Sequence, residues 1–401
     1  MSKIVNLKTC AKTLVMLSVI AAPVAQAVAQ ANKVPAEVIA RRLANKKAKQ
    51  QTPSVAAKKA KAAGVQLYGY VLSSEERAPG LYKFSSNNAA SISLVNSNVQ
   101  CYNAATYVQG TYLSSWYEET DTQVKFPIHF YEYDTSTWQM KIDKPSPELA
   151  YSAISMDLAF DPETQQVYGL FSDDDYSGQY KTLGKLVTTY WGENDYTSNS
   201  VAIGELPESM VAITCNRNGD LYTIGRSGKL YAVNKYSGTA TVVGETGYKP
   251  FKLFPSATCD YSTGKIYWAM LDQYDWATRI IEIDPATGKG TEVCNFIDNY
   301  AYDQITGLYI KQDLTLKAVP QTVSNLSVDL TSLTSGMVMF NMPSKDVKDA
   351  ALSGSLNYTV RLNGEVAATG TAAAGAAVNT NFTTTVSGMT NVTVTAEIAA
   401  S

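Results

Sequence analysis

Between residues 156 and 296 one pattern recurs three times. Residues 157–169 (DLAFDPETQQVYG), 212–223 (AITCNRNGDLYT) and 256–268 (SATCDYSTGKIYW) each run from a short apolar strand through a tight polar turn into a second strand opening with an aromatic. A third strand and a turn rich in Gly, Thr, Asp or Asn follow, most plainly in 229–243 (KLYAVNKYSGTATVV) and 279–293 (RIIEIDPATGKGTEV). Each unit therefore carries four strands, and successive units are spaced by roughly 40 to 50 residues.

Four strands at that spacing is the arithmetic of a β-propeller blade. The first strand of the chain, 66–72 (QLYGYVL), resembles the second strand of a repeat, with 79–84 and 91–95 as its third and fourth. The missing first strand is found at the far end, in 304–310 (QITGLYI), which matches 155–160 in register. The ring is expected to close by clasping that strand beside the three early ones, which removes an open edge. Blades at about 101–145, 152–206, 210–246 and 255–296 complete a five-bladed propeller spanning 65–316. The blade from Cys101 is the least regular, and its fourth strand is placed at 137–142 (TWQMKI).

Beyond residue 316 aromatics nearly vanish and Ala, Thr, Val, Asn and Gly take over, as in 355–366 (SLNYTVRLNGEV) and 388–398 (GMTNVTVTAEI). Alternating strands and an Asn363-Gly364 hairpin turn describe a β-sandwich over 320–401. The fold class is therefore all-β, a five-bladed propeller followed by an incomplete immunoglobulin-like sandwich. The sandwich resembles a fibronectin type III module, and because the sixth strand ends at the last residue the seventh is expected to be missing. As a whole the chain resembles a secreted bacterial surface protein with an N-terminal YVTN/quinoprotein-like propeller. Those propeller groups supply no defining motif, so no functional residue is carried over.

Residues 1–31 hold Lys3, Lys8 and Lys12, an apolar stretch at 14–24, and Ala25-Gln26-Ala27 and Ala29-Gln30-Ala31 as small-x-small cleavage sites. That order reads as a signal peptide and places the mature chain outside the cell or on its outer surface. The apolar stretch is well short of the ~20 residues of a spanning helix, and no membrane-spanning run follows. Residues 32–64 carry nine Lys or Arg against Glu37 alone and read as a solvated linker. Residues 65–401 carry 21 basic and 35 acidic groups, which argues against a nucleic-acid partner.

Cys101, Cys215, Cys259 and Cys294 survive removal of the leader. Cys215 and Cys259 occupy equivalent places in successive blades, where other copies have Phe160 and Ile310. Buried free thiols are favoured over disulfides.

His129 is the only histidine and alternates with Tyr and Phe in a strand, so it reads as a packing residue. Ser-His-Asp, Cys-His and zinc chemistry are thereby disfavoured. Aligning the innermost strands puts Asp157 level with Ala212, Ser256 and Gly307, one acid where a glycosidase needs a pair. A carbohydrate-active hydrolase would have to draw its carboxylates from loops.

Two sets of turns leave a propeller on opposite faces. First-to-second and third-to-fourth turns are tight here and look structural. Second-to-third loops are long in three blades and collect aromatics with acids: Trp116 and Tyr117, then Asp173, Asp175 and Tyr176, then Tyr274, Asp275 and Trp276. These eight residues are the candidate ligand-binding rim, with aromatic faces to stack and carboxylates to accept hydroxyl hydrogen bonds. Asp173, Asp175 and Ser177 also match the start of a calcium loop, but Gly184 stands where a bidentate Glu belongs, which favours a plain acidic hairpin and no cofactor. The expected function is a non-enzymatic binding or adhesion protein for a glycan or an extracellular protein, with the sandwich as spacer. A loop-carboxylate hydrolase and a structural scaffold of a surface assembly are the alternatives.

Overall fold

A computed structural model describes residues 64–101 save 75, 104–117, 128–146, 155–171, 181–186, 200–251, 255–296, 303–383 save 317, 333 and 348, and 391–398. The expected signal peptide, nearly all of the basic linker and the Asp173–Ser177 loop lie outside the described residues. The described residues form strands and turns and no helix.

Five four-stranded antiparallel sheets follow one another. The first holds β1 (Gln66–Ser74), β2 (Gly80–Ser85) and β3 (Asn88–Asn96); the second β4 (Ala105–Val108), β5 (Thr111–Tyr117), β6 (Ile128–Asp134) and β7 (Met140–Ser146). The third is β8 (Ser155–Asp161), β9 (Gln166–Phe171), β10 (Thr182–Leu186) and β11 (Ser200–Glu205). The fourth is β12 (Met210–Cys215), β13 (Leu221–Gly225), β14 (Lys229–Val233) and β15 (Ala240–Glu245). After the fifth, β16 (Ser256–Cys259), β17 (Ile266–Leu271), β18 (Thr278–Ile283) and β19 (Gly290–Asn295), the chain returns in β20 (Asp303–Tyr309) to pair with β1. Tyr70 stands opposite Thr306 and Val71 opposite Ile305, so the first sheet is built from both ends of the propeller.

The innermost strands β4, β8, β12, β16 and β20 contact one another in cyclic order around an axis, giving a β-propeller. Every residue of these five strands is buried, because each is covered on both faces; the outermost β3, β15 and β19 carry most of the exposed positions. That is why the inner strands read in sequence as short unbroken apolar runs. The core lies in the wedges between neighbouring sheets. Leu170, Leu183, Met210 and Ile213 fill the wedge between third and fourth, Leu230, Trp268 and Ile281 the next, and Leu67, Phe84, Ile280 and Ile305 the one between fifth and first. The wedge between first and second is filled by tyrosines, among them Tyr70, Tyr107, Tyr112, Tyr131, Tyr133 and Tyr309. The four cysteines lie buried as free thiols in separate wedges.

Most of the tight turns are built around an Asp or Asn whose side chain accepts hydrogen bonds from the backbone two or three residues on. Asp161 accepts from the Glu163 amide at 2.9 Å, Asn234 from Tyr236 at 2.9 Å, and Asp260 from Ser262 at 2.9 Å. Gly288, with φ at 73°, closes one such turn against the neighbouring sheet; a Cβ there would sit 2.7 Å from the Gly244 Cα.

The last fifth of the chain forms two three-stranded sheets around a separate core of Val338, Phe340, Leu356, Val360 and Phe382. One sheet has β22 (Ser335–Asn341) between β21 (Ser324–Ser332) and β25 (Ala377–Thr383); the other has β23 (Ser355–Leu362) between β24 (Glu365–Ala373) and β26 (Val392–Ile398). Asn363 and Gly364 join β23 to β24 with φ of 50° and 86°, the paired positive angles of a two-residue hairpin turn. The Arg361 guanidinium of this unit lies 3.8 Å from the Tyr236 ring of the propeller.

Candidate functional site

The axis is the first place to look for chemistry in a propeller, and here it is occupied by its own hydrogen bonds. Asp157, fully buried in β8, accepts from Ser256 Oγ at 2.8 Å and from the backbone amides of Ile213 at 3.0 Å and Ala257 at 3.2 Å. Ser256 Oγ in turn accepts from the Leu308 amide at 2.9 Å. One carboxylate thus fastens the inner strands of three sheets directly and a fourth through Ser256. Burial pushes the Asp157 carboxyl well above the usual range, against the pull of its donors.

The axial cavity beside it, bounded by Leu158, Phe160, Cys215, Cys259 and Leu308, has free space of about 30 Å³, room for a water or two. Residues 310–316 cross its mouth. Tyr107 donates to Asp313 at 2.6 Å, Gln109 exchanges two hydrogen bonds with the Leu314 backbone, and Gln312 donates to the Cys259 carbonyl at 2.6 Å. Among the described residues no second acid shares hydrogen bonds with this enclosed and fully engaged carboxylate.

The tight-turn face is braced by ion pairs. Lys235 reaches across to the buried Asp161 at 2.6 Å and to the Gly219 carbonyl at 3.0 Å. Burial alone would lower the Lys235 pKa; Asp161 outweighs it and raises the pKa above its ordinary value.

On the opposite face the described part of the expected rim is the turn from β17 to β18. Tyr274 is 59% exposed. Trp276 is half-buried, with its ring 4.6 Å from the Phe251 ring. Its φ of 54° is one that side chains other than Gly rarely adopt. The Trp276 amide donates to the Asp272 carbonyl at 2.9 Å, the bond that Gly238, Gly264 and Gly288 make at the ends of their turns. A tryptophan thus takes a seat that three other turns give to glycine.

Asp275 is not an open polar anchor. Arg279 grips both its oxygens, at 2.8 and 2.7 Å, and also meets Glu292 at 2.9 Å and Asp272 at 3.5 Å. Burial works against the guanidinium charge, and the three carboxylates outweigh it and hold the pKa up. Burial also raises the Asp272 carboxyl.

Trp116 and Tyr117 lie at the end of β5, paired with His129 and Ile128 of β6, and not in the loop where they were expected, because the hairpin ladder runs on through them. Asp173, Asp175 and Tyr176 lie outside the described residues. Gly184, at the position a calcium-binding Glu would fill, sits in β10 opposite Gly169. Trp138 also differs from expectation: it is not part of a fourth strand, since β7 begins at Met140 and Trp138 closes the turn before it with φ at 59°. Aligning the DTSTW turn with NKYSG and DPATG finds it.

No family model matches the chain, and no curated protein matches it. Among solved structures it is similar to TolB from Acinetobacter baumannii at 12% identity and TM-score 0.35, over 59% of this chain and 52% of that one. It is also similar to apo AztD from Citrobacter koseri, at 11% identity and TM-score 0.28 over 61% and 59% of the two chains. A third likeness is to an exo-β-1,3-galactanase from Phanerochaete chrysosporium, at 11% identity and TM-score 0.32 over 83% and 95%. The chain spans little more than half the length of the TolB and AztD structures. All three likenesses are of strand architecture.

Proposed function

We propose that this is a secreted or cell-surface binding protein, in which the loop-bearing face of a five-bladed propeller recognises a glycan or an extracellular protein without turning it over. The 1–31 leader exports it, and the 320–401 sandwich, read as fibronectin type III-like, is a spacer. The five sheets clasped by β20 support the blade count. The strand orders β21-β22-β25 and β24-β23-β26 support the sandwich.

One observation carries the functional reading: exposed Tyr274 stands beside a Trp276–Phe251 pair whose tryptophan is held in a backbone conformation that glycine would adopt at no cost. Strain of that kind persists where the surroundings over-determine it, and binding surfaces are such places. Trp116, Tyr117 and Tyr176 belong to the same rim, with Asp173 and Asp175 as anchors; Asp275 serves by fixing the turn through Arg279.

The test is a glycan array and a turnover screen on one preparation, repeated with Trp116→Ala and Trp276→Ala. Saturable binding without product, lost in the variants, is the expected result. Product release would favour the loop-carboxylate hydrolase. Binding unchanged in a folded double variant would remove the rim from consideration.

A further inference from the structure

We propose a second ligand site on the opposite, tight-turn face: a cleft at the seam between the first and second sheets that takes a carboxylate-bearing pyranose, a uronic acid residue. It is independent of the rim. The cleft measures about 380 Å³, a size that suits a small ligand. Tyr68 and Trp138 supply its aromatic surface, backed by the buried Tyr309, and Lys83 and Lys311 supply its charge; the Thr135 hydroxyl, which donates to the Gly110 carbonyl at 2.8 Å, is left as an acceptor.

Three features point to that ligand class. The rings are locked before any ligand arrives: Tyr68 stacks on Tyr309 at 4.9 Å and 16°, Tyr309 on Tyr107 at 5.3 Å and 2°, and Trp138 sets its edge to Tyr112 at 6.2 Å. Fixed aromatic faces are what the apolar C–H faces of a sugar ring pack against at low entropic cost. The charge is reversed with respect to the rest of the body. Residues 65–401 are acid-rich, yet among the described residues Lys83 and Lys311 are the only charged side chains that line this cleft, and both are exposed and so within reach of a ligand carboxylate. The hydroxyl of Tyr309, a residue only 2% exposed, has no hydrogen-bond partner. A buried hydroxyl of that kind is costly unless something engages it.

Trp138 adds an independent argument. Its amide donates to the Asp134 carbonyl at 2.6 Å, the same bond that Gly238 and Gly288 make to Asn234 and Asp284 in the third-to-fourth turns of the fourth and fifth sheets. Those two are glycines with φ of 75° and 73°, whereas Trp138 holds 59° with a bulky side chain. The turn does not need the indole, which packs at the edge of the tyrosine wedge and lines the cleft.

The experiment is calorimetric titration at low ionic strength with D-glucuronate, with D-glucose as the neutral probe and acetate as the ring-free probe. Glucuronate is expected to bind at least tenfold more tightly than either. Lys83→Ala with Lys311→Ala should bring glucuronate down to the glucose level. Trp138→Gly should leave the protein folded, as glycine does in the sibling turns, and abolish glucuronate binding. Absence of saturable glucuronate binding, acetate binding as tightly as glucuronate, or a double-lysine variant that binds like the parent would each overturn the proposal. Should Trp138→Gly unfold, the lysine variant still decides, because both side chains are at the surface.

Discussion

Ser256 Oγ donates to Asp157 Oδ1 across 2.8 Å between the third and fifth sheets, while the same oxygen accepts the Leu308 amide from the strand that closes the ring. The pair is a fastening at the axis, and its chemistry sets the first prediction. Asp157→Ala leaves the Ser256 hydroxyl and two backbone amides unpaired in a buried place, and the expected cost is about 3 kcal/mol or more of unfolding free energy. Asp157→Asn, which keeps an acceptor, should cost less. The carboxyl is raised in the folded protein above its ordinary 3.8, so the unfolded chain releases the proton first. Stability should therefore fall as pH rises from about 3.8 toward the native pKa, and Asp157→Asn should flatten that slope in chemical denaturation curves.

Lys235 makes the opposite prediction at the alkaline end. Its pKa is raised above 10.5 by the buried Asp161, so its contribution is intact at neutral pH and is lost only as pH climbs through the raised value. Lys235→Met leaves Asp161 buried without its cation and should destabilise by about 3 kcal/mol at pH 7. The difference between variant and parent should shrink in thermal melts taken well above pH 10.5.

Closure is tested by truncation. A chain ending at about residue 318 keeps β20 and the crossing segment 310–316 and should melt near the parent propeller. Removing residues 303–401 strips β1 of its partner and uncovers the axis, and the whole propeller should lose its cooperative transition. Equal melting temperatures for the two would refute the clasp.

Trp276→Gly separates binding from folding. The substitution relieves a left-handed conformation worth on the order of 1–3 kcal/mol and gives up the Phe251 contact, so the melting temperature should move little. Ligand affinity at the rim should drop by about 1–3 kcal/mol, the usual scale for an aromatic anchor.

The four thiols should be inert in the native state. Burial pushes Cys101 and Cys259 up to about 12 and raises Cys215 well above the ordinary thiol range. Thiolate, the reactive species, is then scarce at pH 8. Peptide mapping after alkylation should find Cys101, Cys215, Cys259 and Cys294 unlabelled until denaturant is added.

The inner strands were legible in the sequence because burial on both faces leaves a continuous apolar run, and three copies of that run fix one another's register. Even the levelling of Asp157 with Ser256 followed from it. The Asn363-Gly364 turn was legible because paired positive φ angles restrict the residues that can fill it. Trp138 was not, since TWQMKI alternates like a strand and a tryptophan does not advertise a left-handed seat. Nor was the capture of Asp275 by Arg279, because a carboxylate four residues from an arginine across a turn reads the same whether the two meet or not. Trp116 and Tyr117 were assigned to a loop because the sequence carries no mark of where a ladder stops.

The pairing of Val71 with Ile305 also dictates an order of events. A chain emerging N-terminus first makes β1, β2 and β3 long before β20 exists, so the axis-side edge of β1 stays unpaired while four further sheets are synthesised. Bringing the ends together then settles the entropy of one very large loop in a single step, after the local hairpins have formed. Ring formation is therefore the last step in building the propeller, and until it happens the nascent protein carries an open β-edge.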